Sequence, residues 1–480
     1  MKLAAIKKKS GTITSVSPME PLGGQPAPGS KPSVADLDYQ VKYQRAFEAV
    51  VWAVPAVAIL GFRHGEEALG VKDNEIIAYS KPATPALEAL TANNNVPYIT
   101  AMTDLSKGPV VLEVPSATEI ASLYGQIVDA WQVTVADVGP AGVDKGKGGK
   151  YLLLPAGYNE TIPSGYMPIQ TGSVRVYFAF RAVPGPKGSQ EEAAAYSRKL
   201  KMYPLAQAKK PPETRFFDPG TKRFPTLPTY DERYFKDIWE IVSTEPVRPR
   251  DKVMMGMLAS IGIEPGKPFN PDEKTKKAMK QAVVDAYFYM LQRFTNPNPE
   301  LYHWPDRKYI GYFAPDAERG FQYETETSVQ IDARAWQFFL GTYYPRTISS
   351  RPATIYVGPV ADSKGAAFVA GKTYKVTIPK DMPVKQFWSV IVYDQATMAF
   401  VYNSLGRAGL STFDVNKMKT NLDGSVTIYI GPEPPVGLES NWIPTEGKRP
   451  FPFIRLYGPT DAYFDKTFKL PDFELIDNPK

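Results

Sequence analysis

Two histidines and no cysteine set the first limits on the chemistry of this 480-residue chain. Disulfides, thiolate metal sites and cysteine nucleophiles are excluded. A three-histidine metal site cannot form within one chain, and a Ser-His-Asp triad would have to use His64 or His303. Neither a metal site nor a cofactor is expected. Carboxylates are the remaining source of acid–base chemistry. In "GQIVDAWQVTVADVG" (125–139), Asp129 and Trp131 share one face of a regular strand, with Asp137 further on. A carboxylate beside an indole can bind a sugar or hold a proton for transfer. Asp129 and Asp137 are also candidates for a glycosidase pair, although their separation is not legible from spacing. The plainer reading, which the residues favour, ends a strand at Asp129 and buries Trp131.

Other polar groupings point to binding. "NNNVPYITAMTD" (93–104) sets three amides beside Tyr98 and Asp104, a pattern that suits hydroxyl-rich ligands or simply a turn. Asn94, Tyr98 and Asp104 are the binding candidates. His303, in the aromatic stretch "NPNPELYHWPDRKYIGYF", is a weak candidate base and more plausibly a stacked ring. His64, beside Glu66 and Glu67, reads as a helix-terminal surface residue. Towards the C-terminus, Tyr393, Asp394, Asn403, Arg407, Trp442, Arg455 and Tyr457 form a group. Arg455 and Tyr457 share a strand face. An arginine among rings can clamp a carboxylate or stack on a sugar, or it can pair with Asp394 inside a sandwich. The residues leave these two readings level.

"DVGPAGVDKGKGGKYLLLPAGY" (137–158) has the look of a phosphate loop. A Walker loop needs glycine where Ala141 stands and Ser or Thr where Gly148 stands, followed by a helix. A strand, "KYLLLP", follows instead. The expected structure is a solvated turn, with Lys145, Lys147 and Lys150 available at a pocket edge.

The elements that position these residues are legible from periodicity. Residues 34–69 carry an apolar stripe at helical spacing, which Pro55 should kink or interrupt. From about 95 the pattern alternates. In "SVRVYFAFRAV", Val174, Val176, Phe178 and Phe180 alternate with Arg175, Tyr177, Ala179 and Arg181. Helices return after a Ser189/Glu192 capping box, a Thr229/Glu232 capping box and an Asn270-Pro271-Glu273 start, and again over 326–344. Strands resume near 353. The expected class is α+β, with helical segments and two jelly-roll-like antiparallel β-sandwiches. The expected division is a 1–33 extended tail, a 34–188 helix and sandwich, a 189–345 helical segment and a 346–480 sandwich. A duplication is also suggested. "VLEVPSATEIASLYGQIVDAWQ" parallels "KVTIPKDMPVKQFWSVIVYDQA", and later strands bear Arg181 and Arg455 at matching places.

The motifs "LTANNNVPYITAMTDLSKGPVVLEVP", "GQIVDAWQ" and "RVYFAFR", with "KQFWSVIVYD", "LDGSVTIYIGPEPP", "NWIPT" and "FPFIRLYGPTDAYFD", resemble a bacterial family over residues 36–478. That family joins two domains of unknown function, numbered twelve fifty-four and twelve fourteen. The resemblance implies helices combined with jelly-roll-like sandwiches, and it brings no established reaction. Many members carry export signals. This chain begins without an apolar signal core, so a cytoplasmic location is expected for it as written.

Net charge is +6, from 56 basic and 50 acidic side chains spread along the chain, which gives no nucleic-acid surface. No window approaches 18 uninterrupted apolar residues. The leading functional expectation is binding of a polar small molecule or oligosaccharide between the N-terminal sandwich and the helices. Asn94, Tyr98, Asp104, Asp129, Trp131, Lys150 and Arg175 would line the site, with Arg455 as a further ligand residue. The alternatives are a cofactor-free hydrolase using carboxylates and a structural protein assembling into homo-oligomers.

Overall fold

The computed structural model describes residues 24–27, 29–295, 299–311, 321–346, 352 and 354–476. The first 23 residues of the expected tail lie outside them, as do 296–298 and 312–320 around the His303 stretch.

The chain opens with α1 (Leu37–Ala68), whose start is fixed by Asp36 accepting from the Tyr39 N–H at 2.9 Å. Pro55 lies inside this helix, and the helix continues through it. A proline leaves the carbonyl four residues earlier, here Val51, without its donor. The surrounding core compensates. Tyr234 donates to the Val50 carbonyl, Arg334 to that of Trp52, and Gln132 to that of Pro55. Tertiary partners thus bind the backbone before and at Pro55 in a helix that runs through the proline. By length and composition α1 could cross a membrane, and its most apolar window is 78% buried within the protein.

The first twelve strands are β1 (Ile76–Ala78), β2 (Leu87–Glu88), β3 (Tyr98–Asp104), β4 (Val110–Val114), β5 (Ala121–Asp129) and β6 (Thr134–Val138), then β7 (Gly149–Leu154), β8 (Tyr166–Gln170), β9 (Arg175–Pro184), β10 (Lys201–Pro204), β11 (Phe216–Phe217) and β12 (Phe224–Pro225). Helix α2 (Gln190–Ser197) follows β9 and starts on the expected Ser189/Glu192 capping box. Ten of these strands make a sandwich. Its large sheet runs β11-β1-β3-β9-β5-β6 and its small sheet β10-β4-β7-β8, while β2 and β12 pair separately.

Four helices come next: α3 (Arg233–Thr244), α4 (Lys252–Ala259), α5 (Glu273–Thr295) and α6 (Ile331–Leu340). The Thr229 capping box does not form; Asp231 instead accepts from the Arg233 N–H at 2.8 Å. Asp272, one residue before α5, accepts from the Thr275 N–H at 2.7 Å and does the capping expected of Asn270. In both places an aspartate nearer the helix competes for the same amides.

The last strands are β13 (Tyr309–Gly311), β14 (Thr354–Pro359), β15 (Thr373–Ile378), β16 (Val384–Asp394) and β17 (Ala399–Phe400), then β18 (Gly409–Ser411), β19 (Val426–Gly431), β20 (Trp442–Pro444), β21 (Pro450–Pro459) and β22 (Glu474–Ile476). A short α7 (Asp461–Phe464) follows β21. The large sheet runs β13-β14-β21-β16-β17, with β18 also on β16, and the small sheet β20-β19-β15-β22.

The two sandwiches repeat one plan. In chain order β1, β3, β4, β5, β6, β7, β8, β9, α2 and β10 correspond to β13, β14, β15, β16, β17, β19, β20, β21, α7 and β22, and both sheets keep the same neighbours. The repeat extends to a shared irregularity. Pairs β7·β8 and β19·β20 are both parallel, within sheets that are otherwise mostly antiparallel. The sandwiches are thus mainly antiparallel, as expected, with one parallel pair in each small sheet.

Strand alternation divides the burial. On β9, Val176, Phe178, Phe180 and Ala182 enter the core of the first sandwich, and Tyr177 and Ala179 enter a central core with the helices. On β21, Ile454 and Leu456 enter the second sandwich, while Phe451 and Phe453 face the same central core. Each large sheet is thus apolar on both faces. The face that would meet water in an isolated sandwich is covered here by helices and by the other half of the chain.

Candidate functional site

On that shared side lies a cavity of about 590 Å³. The first sandwich contributes Tyr98, Tyr124 and Arg181, the second Tyr356 and Arg455, and the end of α6 leads into Tyr343 on the wall. Sheet register dictates this grouping. Arg181 on β9 stands directly opposite Tyr98 on β3 and Tyr124 on β5. Arg455 on β21 stands directly opposite Tyr356 on β14 and Ser389 on β16. Each arginine lies over its tyrosine, at 5.6 Å for Arg181 on Tyr98 and 4.8 Å for Arg455 on Tyr356. The repeat has therefore placed one Arg–Tyr cross-strand pair from each half at one cavity.

The two arginines are held differently. Arg455 is buried; its Nη2 donates to the carbonyls of Thr91 at 2.7 Å and Ala92 at 3.2 Å and to the Tyr393 hydroxyl, while its Nε has no partner. It makes none of the pairing with Asp394 that the sequence allowed, because Asp394 accepts from the Ala396 N–H at a turn. The Arg181 guanidinium is half-buried and has no hydrogen bond or ion pair among the described residues. Burial disfavours its charge and Arg455 adds a little to that, but the neighbouring Tyr98, Tyr356 and Tyr457 outweigh both, so its pKa is raised. Two further wall residues, Tyr79 and Tyr343, carry buried hydroxyls without partners. Asp137 is the one carboxylate among the lining residues. It accepts from the Arg346 N–H and the Gln126 amide, and burial holds its carboxyl above the usual range.

Of the residues singled out from sequence, Tyr98, Asp137 and Arg455 line this cavity. Asn93 connects it to the asparagine run. Its N–H donates to the Tyr98 hydroxyl and its side-chain amide to that of Tyr457, each at 2.8 Å. Burial pushes the Tyr457 hydroxyl up to about 12. Asn94 is half-buried beside these contacts, outside the lining.

The remaining residues lie elsewhere. Asp129 accepts from the N–H groups of Trp131 and Val133 and pairs with Arg248. Trp131 is buried against Trp52, ring centroids 4.6 Å apart. Asp104 caps a short 3-10 turn through the Ser106 N–H at 2.7 Å. Arg175 pairs with Glu240 at 2.7 Å. Lys150 is opposite Glu113 on the small sheet, 3.7 Å away. His303 stacks flat on Tyr463 at 4.2 Å, and burial lowers its pKa. His64 meets Glu240 at 3.5 Å.

The glycine loop is organised by its own carboxylate. Asp144 accepts from the N–H groups of Gly139 at 2.8 Å and Gly148 at 2.9 Å, the kind of donors a phosphate would need. A Cβ at Gly148, where φ is +67°, would come within 2.4 Å of the Val114 carbonyl.

Arg181, Tyr124, Tyr343 and Tyr356 are the wall residues that sequence reasoning did not select. The signal was present in the duplication, where Arg181 and Arg455 occupy matching places. Arg455 is singled out by its aromatic neighbours, and the duplication would have added Arg181.

The fold and this cavity define a class: α+β proteins of two homologously wired sandwiches around a helical core. Residues 74–204 match a protein family of unknown function (DUF1254), and residues 353–461 match a second (DUF1214). The chain belongs to the family that joins these two domains. No curated protein matches it. Among solved structures, the VPA0106 protein from Vibrio parahaemolyticus is similar, with 19% identity and a TM-score of 0.53 over 91% of this chain and 100% of that one. This likeness concerns the fold alone. An uncharacterised protein from Burkholderia cenocepacia aligns over 92% of this chain and 96% of its own, at 10% identity and a TM-score of 0.37, too low to inform the fold.

Proposed function

We propose that the chain is a small-molecule binding protein whose ligand occupies the cavity between the two sandwiches. The observation that carries this reading is a cavity of about 590 Å³ walled by both halves and by α6, lined by aromatic rings and a few polar groups. That volume falls in the range of small-ligand pockets, roughly 300–1,000 Å³. Aromatic walls with a few convergent polar groups are what such pockets use to fix orientation. The site thus sits deeper than a pocket between the first sandwich and the helices, because β14 and β21 complete it.

A hydrolase using paired carboxylates finds less support. Asp137 has no second carboxylate on the wall, and its oxygens already accept from neighbours. A thermal-shift screen of oligosaccharides, carboxylates, phosphates and neutral apolar compounds tests the binding reading. A ligand of the native state raises the unfolding midpoint as its concentration passes its dissociation constant. A flat response to the whole panel, from a protein that melts cooperatively, would overturn it.

A further inference from the structure

We infer that the ligand of this cavity is an organic oxyanion on an apolar body, its head held between Arg181 and Arg455. The inference rests on the binding reading above and names the ligand's chemistry.

The first support is the unanswered charge of Arg181. A cation withdrawn from water is normally paired. Elsewhere in this chain Arg63 has Asp73, Arg175 has Glu240, Arg248 has Asp129 and Arg250 has Glu324. Arg181 has none of these, and it shares its cavity with a second guanidinium. The second support is repetition. The same Arg–Tyr cross-strand pair stands at both large sheets, so two positive groups face one space by virtue of the fold rather than by one local accident. The third is donor geometry. A guanidinium presents planar paired N–H groups that match the two oxygens of a carboxylate or phosphate. The hydroxyls of Tyr79 and Tyr343 and the Nε of Arg455 are further donors without partners. The fourth is the apolar part of the wall, which stands beside Asp137, Gln126 and several threonines. Phe62, Leu87, Leu90, Phe224 and Leu340 offer nothing to a polar chain and would bury an apolar one.

Arg181 is the position to change, because its guanidinium makes no hydrogen bond or ion pair among the described residues and only lies over the Tyr98 ring. Binding of decanoate, decyl phosphate, benzoate and the neutral decanol would be measured by titration calorimetry on wild type, Arg181→Met and Arg181→Gln. Wild type should bind an oxyanion at least about tenfold more tightly than decanol, weakening as salt rises. Both variants should lose about tenfold or more of that affinity and leave any decanol binding unchanged. Without ligand, both should melt at or above the wild-type temperature, since an unpaired charge is removed. Decanoate against decyl phosphate decides between carboxylate and phosphate heads. Equal binding of decanol and the oxyanions would overturn the inference while leaving the binding cavity standing. Undiminished oxyanion binding in the variants would do the same. If none of the four compounds binds wild type, the inference falls, while the binding reading stands or falls on the wider thermal-shift panel.

Discussion

Glu66 is buried on α1 with one carboxyl oxygen accepting from Thr100 at 2.9 Å and the other unpartnered. Burial pushes its pKa up to about 8. Glu245, also buried, is pushed to about 7 in the same way. In the unfolded chain both would lose their protons near pH ~4.3. Between that pH and the folded values the native state binds more protons, so stability falls as pH rises. Glu240 has the opposite sign: His64 and Arg175 hold its pKa at about 2, so its contribution is lost as pH falls from ~4.3 towards that value. The unfolding midpoint should therefore peak on the acid side of neutrality. Glu66→Gln should flatten the decline between about pH 5 and 8, read as midpoint against pH by calorimetry. An unchanged slope would contradict neutral burial of Glu66. Such a role was not visible in "GFRHGEEA", where Glu66 reads like any surface acid. Asp129 and Trp131 show the same limit from the other direction. Their shared spacing is apparent in sequence, yet Arg248, which pairs with one and lies over the other at 5.8 Å, is 119 residues away.

Elements were read more easily than their ends. The long first helix, the alternating strands and the helices from 190 onward follow from apolar period, which burial imposes directly. The cap positions shifted where two acceptors competed for one set of amides, as with Asp272 beside Asn270. The short α4 escaped notice because eight residues of "KVMMGMLA" have too few turns to show a period. Close approach is equally silent in sequence. A Cβ at Gly61 on α1 would stand 2.1 Å from the Thr226 carbonyl. Replacing glycine by alanine within a helix ordinarily stabilises by up to about 1 kcal/mol. At Gly61 the sign should reverse. Gly61→Ala is expected to destabilise by about 1–3 kcal/mol, measured from the urea midpoint at constant slope. A gain in stability would mean that β12 can move away from α1 at little cost.

The duplication was legible in the whole chain because matching strands kept matching residues. The cavity was not, since finding it requires knowing that the outer faces of two sheets 200 and more residues apart meet across the helices. That arrangement makes each half dependent on the other. A chain limited to residues 354–476 would expose Ile391, Tyr393, Phe451 and Phe453, all buried in the central core. It should aggregate or remain loosely packed, as judged by gel filtration and amide chemical-shift dispersion. A monomeric, cooperatively melting fragment would refute the dependence.

A plan repeated within one chain also changes what evolution can do with its halves. In a symmetric pair of identical subunits, any substitution is made twice, and both arginines would have to be alike. Within one chain each copy mutates alone. Arg455 has become a girder, tied to the backbone at Thr91 and Ala92, while Arg181 opposite an equivalent tyrosine has stayed untethered. Such a division of labour, one half's arginine tied to backbone and the other's untethered, is open only to halves that do not inherit their changes together.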